Sequence, residues 1–416
     1  MFKRIFSGLI ACCLLLTLLG ALSGCRSDSA KKTAAKATLN AVGDIYFTDA
    51  QFQAATVNGT TDFSATIADV VPSLPTADLT VGNFEGNFFG DPYSAATASY
   101  PDAFATLLAN AGFDILQTAN SYTIYNGIKG MARTKQVIED NGMSALGSFT
   151  SNADRKSNQV VVREVNGIRF AFVGFTKGVS GMTIPDDASY CVNLLYEDYS
   201  SNYSKVNTAY ILEVLDAAKA TAPDVIIACL HWGSENVSEP SDSQEEIATL
   251  MFKNGVDVIL GSHSHVVSPV ERRTVTLDNG SKKDVVIAYN LGDLTAADEG
   301  EVNLAPILNL EFTRDGDLGQ TSVTNITYRA VVSADLGEEV TPRFQVLDAE
   351  NALTLYESNY YVRIPDAVYE RLKNKLDSLG EALFPDGVFI CWSPDKSTAG
   401  FSKRSEGTSY DEMALE

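Results

Sequence analysis

The fold is decided by residues 225–265, which read VIIACLHWGSENVSEPSDSQEEIATLMFKNGVDVILGSHSH. Residues 225–230 and 256–260 are apolar runs with the length of buried strands. Between them, residues 244–253 show apolar spacings of three and four, and the following Asn254-Gly255 is a typical helix stop. The stretch therefore predicts a strand, a helix and a second strand.

The same alternation extends along most of the chain and indicates an α/β protein. Further strands are predicted at residues 39–42, 79–81, 115–116, 170–173 and 285–289, and further helices at residues 103–110, 134–141 and 205–220. After residue 289 the pattern favours a second sheet or a hairpin edge, formed by residues 307–312 and 324–332. A helix at residues 365–383 and a polar, mobile tail from residue 395 are predicted to follow.

Polar side chains follow these apolar runs at the point where each run ends. The residues concerned are Asp44, Asn83, Glu85, Asn120, His231, His263 and His265. If the runs are neighbouring parallel strands, these side chains converge at one sheet edge, where α/β proteins bind their ligands.

The positions of the histidines indicate which kind of ligand could bind at that sheet edge. The whole chain contains three histidines, and each of them follows one of the predicted strands. Imidazole together with carboxylate and amide oxygens is a ligand set for Zn²⁺, Mn²⁺ or Fe²⁺. The pattern therefore favours a divalent metal site, and the alternative is histidines that are hydrogen-bonded in loops without a metal.

The N-terminus has the pattern of a bacterial lipoprotein signal. Lys3 and Arg4 precede an apolar stretch, residues 9–22, that is too short for a comfortable membrane span and ends at Leu22-Ser23-Gly24-Cys25. Resemblance to the lipobox implies cleavage after Gly24 and lipid on Cys25. We expect residues 1–24 to be the signal and residues 25–37 a flexible tether, with the protein lipid-anchored on the extracytoplasmic side of the cell membrane. The alternative, an uncleaved membrane anchor, also places the body outside the cytoplasm.

Composition excludes several classes of protein. Apolar residues make up 45% of the chain and charged residues 20%, which are ordinary values for a folded domain. The net charge of −22 becomes −24 when the acid-free signal takes Lys3 and Arg4 with it. So negative a chain disfavours nucleic acid as a partner. The three cysteines of the body do not suggest a disulfide framework.

Several motifs, taken in order, resemble the CapA family, which is associated with poly-γ-glutamate capsule. They are Gly43-Asp44, Asn83-Phe84-Glu85, Ala119-Asn120, Leu230-His231-Trp232-Gly233, Gly261-Ser262-His263-Ser264-His265, Pro269-Val270-Glu271 and Tyr289-Asn290-Leu291-Gly292-Asp293. The resemblance covers roughly residues 38–294. It implies a four-layer α/β/β/α sandwich of the calcineurin-like metallophosphatase type over residues 38–335, followed by a C-terminal extension, residues 336–416, with a helical segment and a mobile tail.

The resemblance also implies roles for individual residues. Asp44, Glu85, His231, His263 and His265 become candidate ligands of one or two divalent ions (Mn, Zn or Fe), with Asn83 and Asn120 as supporting or ligating amides and Asp44 as the natural bridging ligand. The family's usual Ala-Asn-Asn-His element, however, is Ala119-Asn120-Ser121-Tyr122 here. Because tyrosine has an unperturbed pKa of about 10, Tyr122 is a catalytic candidate that would donate a hydrogen bond rather than exchange a proton.

Two functional hypotheses follow. The first is a metal-dependent envelope hydrolase or transferase that acts on capsule polymer, and the second is a non-catalytic lipoprotein that binds polymer or envelope assembly proteins. A solute-binding lipoprotein would share the signal and tether but leaves the histidines unexplained. Whether the chain is an enzyme is left open by Ser121 and Tyr122. Lys177 could hold an anionic substrate, but the expectation is a solvated loop lysine.

Overall fold

The computed structural model describes residues 33–70, 74, 77–358, 364–385 and 390–391. The predicted signal, Cys25, most of the predicted tether and the polar tail from residue 395 lie outside the described residues. Within these ranges, no helix combines the length and the hydropathy needed to cross a membrane.

The strands are, in chain order, β1 (Ala35–Ile45), β2 (Thr56–Val57), β3 (Thr60–Thr61), β4 (Leu79–Phe84), β5 (Ile115–Gln117), β6 (Ser144–Leu146), β7 (Val161–Val165), β8 (Ile168–Thr176), β9 (Val225–His231), β10 (Val258–Ser262), β11 (Val270–Thr276), β12 (Lys282–Ala288), β13 (Val302–Arg314), β14 (Thr321–Asp335), β15 (Phe344–Asp348) and β16 (Ile390–Cys391). The α-helices are α1 (Asp49–Ala55), α2 (Ser64–Ile67), α3 (Asp102–Asn110), α4 (Gly127–Asp140), α5 (Asn152–Asn158), α6 (Thr208–Ala220), α7 (Asp242–Lys253), α8 (Ala349–Glu357) and α9 (Asp366–Leu383).

Two sheets form the framework. The larger has the order β15-β14-β13-β1-β4-β5-β6, with β16 beside β14, and the smaller has the order β11-β12-β10-β9-β8-β7. Strands β1, β4, β5 and β6 are parallel, as are β8, β9, β10 and β12, whereas the remaining pairs in the two sheets are antiparallel, apart from the parallel pair β14–β16. The parallel strands of each sheet place their carboxyl ends together, which is where ligands bind in such sheets.

The sheets pack face to face, with helices on both outer faces. Leu39 of the larger sheet and Ile227 of the smaller sheet belong to the hydrophobic cluster between the two sheets. Helices α3 and α4 cover the outside of the larger sheet, and α6 and α7 cover the outside of the smaller one. The predicted four-layer α/β/β/α sandwich is therefore confirmed.

Local sequence explains the strand–helix–strand unit β9-α7-β10, which contains residues 225–265. All seven residues of β9 are buried, as expected for a central strand of a parallel sheet. Helix α7 begins with a capping box: the Ser241 side chain accepts the N–H of Gln244, and the Gln244 side chain accepts the N–H of Ser241. It ends at Lys253, before Asn254 as predicted.

One expectation about topology is wrong. The polar side chains do not converge at the edge of one sheet, because Asp44, Asn83 and Asn120 lie in or just after strands of the larger sheet, whereas His231 and His263 lie in or just after strands of the smaller one. The parallel strands of both sheets have their carboxyl ends at the same end of the sandwich, so the candidate site is formed by residues from both sheets.

The C-terminal region extends the sandwich beyond residue 335. Strand β15 pairs antiparallel with β14, and helix α9, which begins after Pro365 as predicted, places Leu372 and Leu379 in the cluster between the sheets. The domain boundary at residue 335 stays a prediction, and this end of the chain contributes to the same core.

Candidate metal centre

Two glycines allow the strand ends of the candidate site to approach the segment after β12. A Cβ atom on Gly43 would lie 1.9 Å from the carbonyl oxygen of Gly292, and one on Gly261 would lie 1.9 Å from that of Tyr289. The N–H of Asp44 donates to the same Gly292 oxygen at 2.8 Å. Only glycine fits at these two positions, and Asp293 is thereby held next to Asp44.

A first group of candidate ligands consists of Asp44, Glu85 and His231, all of them buried. Nδ1 of His231 lies 3.3 Å from Oε1 of Glu85. The Asn83 amide donates to Oδ1 of Asp44 at 2.7 Å and to Oε1 of Glu85 at 3.0 Å. One ligand atom from each member lies within 4.8 Å of the others, close enough to share one ion.

A second group consists of Asp44, His265 and Asp293. Nδ1 of His265 lies 2.8 Å from Oδ1 of Asp293 and 3.6 Å from Oδ2 of Asp44. The hydroxyl of Tyr46 donates to the other Asp293 oxygen at 3.0 Å. Asp44 therefore belongs to both groups and lies between them.

His263 is placed at the cluster but in neither group. Its backbone has a φ of +100°, outside the usual range for a residue with a side chain, and its N–H donates to Oδ2 of Asp44 at 3.1 Å. The centroid of its ring lies 4.5 Å from that of His231 and 6.3 Å from that of His265. The hydrogen bond to Asp44 helps to hold this strained backbone, and the imidazole lies beside the two other histidine rings.

Burial and mutual repulsion set the protonation of the cluster. Burial, and then the charge of Asp293, raises the pKa of Asp44 to about 7; burial likewise raises the pKa of Glu85 and of Asp293. Burial lowers the pKa of His263 to about 3 and that of His231 well below its usual value. Burial also acts to lower the pKa of His265, but the hydrogen bond to Asp293 and the nearby carboxylates outweigh it and raise that pKa to about 10.

The donor set fits divalent metal ions. Three buried carboxylates face one another, and neutral imidazoles stand beside them. Burial first, and then carboxylate repulsion, disfavours the charged carboxylates, and a cation would offset both; mixed oxygen and nitrogen ligands suit Zn²⁺, Mn²⁺ or Fe²⁺. The predicted residues Asp44, Glu85, His231 and His265 are thus brought into the two groups.

Asn83 and Asn120 support the cluster through hydrogen bonds. Asn120 donates to Oδ1 of Asn83 at 3.1 Å and to the carbonyl of Phe84 at 2.7 Å, while its own oxygen accepts the N–H of Tyr122 at 3.0 Å. Asn120 therefore orients Asn83, whose amide lies among the carboxylates.

Ser121 contacts a candidate ligand, and Tyr122 is the next residue along the chain. The hydroxyl of Ser121 lies 3.0 Å from Nε2 of His231. Burial, and then the charge of Glu85, raises the pKa of Tyr122 to about 12. At neutral pH the Tyr122 phenol keeps its proton, so it is suited to donating a hydrogen bond and not to acting as a base.

Asp293 is the site residue that sequence reasoning missed. It belongs to the second group, and its side chain is 8% exposed. It follows the predicted strand at residues 285–289, so the rule that selected the other candidates could have found it.

A cleft of about 870 Å³ leads from the second group to helix α9. Its lining includes His265 and Asp293 at one end and Lys375 and Leu379 of α9 at the other. The acidic side chains Asp298, Glu299 and Glu301 also line it. The C-terminal region thus forms one wall of the approach to the centre.

A two-sheet sandwich with outer helices and a buried histidine–carboxylate cluster at its strand ends defines an α/β protein with a candidate metal centre. The chain belongs to the family described as bacterial capsule synthesis protein PGA_cap, whose model matches residues 38–298. The resemblance drawn from the motifs is therefore confirmed for the family, while the lipoprotein signal stays a prediction.

Two relatives show how far the similarity extends. The PGA biosynthesis protein CapA of Bacillus subtilis (strain 168) is 27% identical over 229 residues, which are 54% of this chain and 54% of that protein. The capsule biosynthesis protein CapA of Bacillus anthracis is 27% identical over 232 residues, 54% of this chain and 52% of that protein. The chain thus spans about half the length of the curated relatives it matches.

Solved structures with a similar fold share little sequence with this chain. The putative 5'-nucleotidase of Staphylococcus aureus is 12% identical, with a TM-score of 0.43 over 82% of this chain and 59% of that one. The calcineurin-like phosphoesterase YfkN of Bacillus subtilis is 13% identical, with a TM-score of 0.38 over 83% of this chain and 98% of that one.

Proposed function

We propose that this protein is an extracytoplasmic lipoprotein that takes part in the synthesis, export or anchoring of a capsule polymer such as poly-γ-glutamate, and that its buried cluster binds divalent metal ions. The family and the names of the two relatives support the capsule role. The signal pattern that ends at Cys25 supports the attachment to the membrane.

The observation that carries the metal proposal is the position of Asp44 in both ligand groups. Asp44, Glu85 and His231 would hold one ion, and Asp44, His265 and Asp293 would hold a second. A carboxylate with two oxygens can serve both ions, as bridging ligands do in paired metal sites. The ion would be Mn²⁺, Zn²⁺ or Fe²⁺, because the nitrogen ligands favour these over Mg²⁺ and Ca²⁺.

The chemistry that such a centre supports is hydrolysis or group transfer at a phosphoryl or amide carbon centre. Bound divalent ions supply Lewis acidity, which activates water and stabilises negative charge. Asn83 fixes the orientation of Asp44 and Glu85 through its two hydrogen bonds. Ser121 and Tyr122 offer hydroxyl groups near His231 and Glu85 that can donate hydrogen bonds to a substrate oxygen.

The test is genetic and chemical. We expect deletion of the gene in its own host to reduce cell-bound capsule polymer, measured after acid hydrolysis of washed cells. The full chain should restore the polymer, whereas Cys25→Ala should release the protein from the membrane and Asp44→Asn should fail to restore polymer. Unchanged polymer after deletion would refute the capsule role, and restoration by Asp44→Asn would refute the requirement for the centre.

A further inference from the structure

Lys177 lies directly beside a candidate metal ligand. It follows β8, and its N–H donates to the carbonyl oxygen of His231 at 2.8 Å. Its ammonium donates to the carbonyl oxygen of Gly233 at 2.6 Å and lies 4.5 Å from the centroid of the Tyr203 ring. The side chain is half-buried, so the expectation of a solvated loop lysine is wrong. Backbone and ring together hold the charge against the segment His231–Gly233.

The ammonium of Lys177 has no ion-pair partner among the described residues. Three lysines in this part of the chain are not exposed, namely Lys135, Lys177 and Lys283. Lys135 lies 2.6 Å from a Glu139 oxygen, and Lys283 lies 2.8 Å from an Asp257 oxygen. In a chain with 53 acidic and 31 basic residues, a half-buried lysine without a carboxylate partner is unusual. An ammonium has three N–H donors, so Lys177 retains capacity to bind an oxygen.

The charge of Lys177 reaches the candidate metal centre. Its charge helps to lower the pKa of His263, after burial, and that of His231, after burial and the charges of His263 and His265. The exposed Glu235 is the carboxylate whose charge acts most on Lys177, but it lies beyond salt-bridge distance. The positive charge therefore stays available on the histidine side of the cluster.

The other approach to the centre has the opposite charge. The cleft that leads to α9 is lined by the acidic Asp293, Asp298, Glu299 and Glu301, which outnumber its basic residues His265 and Lys375, and its lining within the described residues does not include Lys177. An anionic ligand is repelled along the acidic cleft and attracted towards the unpaired ammonium. The side of the centre that carries Lys177 therefore favours an anionic ligand, whereas the cleft that leads to α9 does not.

We infer that Lys177 binds an anionic oxygen of the ligand, from a carboxylate or a phosphoryl group, on the histidine side of the metal centre. The inference rests on the proposed metal centre, and it names the class of ligand and the side from which the ligand's anionic group enters. A lysine ammonium acts here as a point charge with rotatable donors, which suits either kind of oxygen.

The experiment measures anion binding by the purified full chain. Inorganic phosphate and glutarate are titrated calorimetrically into manganese-loaded and metal-free protein, and metal content is measured in each sample. The variants are Lys177→Met, which keeps the length of the side chain, and Lys177→Arg, which keeps the charge. The matched control is Lys205→Met, because Lys205 is exposed and pairs with Glu197.

We expect Lys177→Met to weaken anion binding about 10- to 100-fold, the loss typical of one hydrogen bond to a charged group, with unchanged metal content. The affinity of Lys177→Arg for the anion should stay within a few-fold of the parent value, and the affinity of Lys205→Met should equal the parent value. Weakening of phosphate alone assigns a phosphoryl ligand, and weakening of glutarate alone assigns a carboxylate.

Equal anion binding by the parent and Lys177→Met, or no binding of either anion by the parent, would overturn the inference. A parent that binds no manganese would instead count against the metal centre, and the metal-free titrations would still decide the role of Lys177. The two failures are therefore distinguishable.

Discussion

The hydroxyl of Ser121 lies 3.0 Å from Nε2 of His231. Members of the CapA family usually carry an asparagine at this place in the motif and a histidine at the position of Tyr122. The hydroxyl contacts a candidate ligand directly, so this departure from the family motif changes the immediate surroundings of the candidate metal centre and not a remote loop.

Restoring the family pattern should increase hydrolysis. We expect the double variant Ser121→Asn, Tyr122→His to hydrolyse bis(p-nitrophenyl) phosphate at least about 10²-fold faster than the parent in manganese. An imidazole can exchange protons near neutral pH, whereas the Tyr122 phenol has a pKa raised to about 12. The measurement is nitrophenol release at saturating metal.

The matched control is Tyr125→His, which adds a histidine next to Tyr122, where the two tyrosine rings are 5.2 Å apart. No gain from the double variant, or an equal gain from the control, would contradict this account of the departure.

The shared position of Asp44 predicts a graded loss of metal. Asp44→Asn should abolish binding of both ions, because Asp44 belongs to both groups, whereas Glu85→Gln and Asp293→Asn should each remove one. Elemental analysis after dialysis against excess Mn²⁺ gives the stoichiometry, and EDTA should strip the parent to zero. Asp216→Asn, which alters an exposed helix residue, should keep the parent value. Equal losses in all three site variants would contradict two separate groups.

Local sequence predicted the strands that carry the site and most of the site residues, because polar residues that end or follow an apolar run can be recognised without knowledge of the fold. His231 was found in this way, and it ends β9. Asp293 follows β12 and fits the same rule, but it was predicted only as the last residue of the Tyr289–Asp293 motif and not as a candidate ligand. The aspartate in that motif stands next to Asp44, 249 positions away in the chain, and no local pattern reports that pairing.

The assignment of strands to two sheets could not be predicted from local sequence. Leu39 in β1 pairs with Leu310 in β13, and the pairing depends on which apolar faces are buried together. The edge strand β11 was also missed, because its less exposed face carries Glu271 and Arg273, so its sequence lacks the alternation of apolar and polar residues that indicates a strand.

The contact between the sheets predicts the cost of a core truncation. The rings of Phe170 in the smaller sheet and Phe312 in the larger sheet meet edge to face, with centroids 5.0 Å apart and both side chains fully buried. Phe312→Ala should lower the free energy of unfolding by about 3–5 kcal/mol, since it leaves a cavity between the sheets. Urea denaturation measures the change.

The control for this truncation is Leu318→Ala, at a residue that is 73% exposed in the β13–β14 turn. It should change the free energy of unfolding by less than about 0.5 kcal/mol. A loss below about 1 kcal/mol for Phe312→Ala would indicate that the two sheets are not packed through this contact.

The hydrogen bonds of Asp335 allow a prediction of how the free energy of unfolding decreases at acidic pH. Its side chain is 5% exposed and accepts two hydrogen bonds from Arg343, each at 2.8 Å. Burial raises the pKa of Asp335, but these bonds and those from the N–H groups of Gly300 and Gly337 outweigh burial and lower the pKa to about 2. The ordinary value is 3.8.

Because the folded pKa lies below the unfolded one, the charged form stabilises the fold. This contribution, on the order of 2 kcal/mol, is fully present above about pH 4 and is lost as the pH falls through about 2. Asp335→Asn should therefore lower the free energy of unfolding at pH 7, and the gap between variant and parent should narrow between pH 4 and pH 2. Urea titrations of both proteins across this range measure the gap. A gap that stays constant down to pH 2 would show that Asp335 does not carry its charge to that pH.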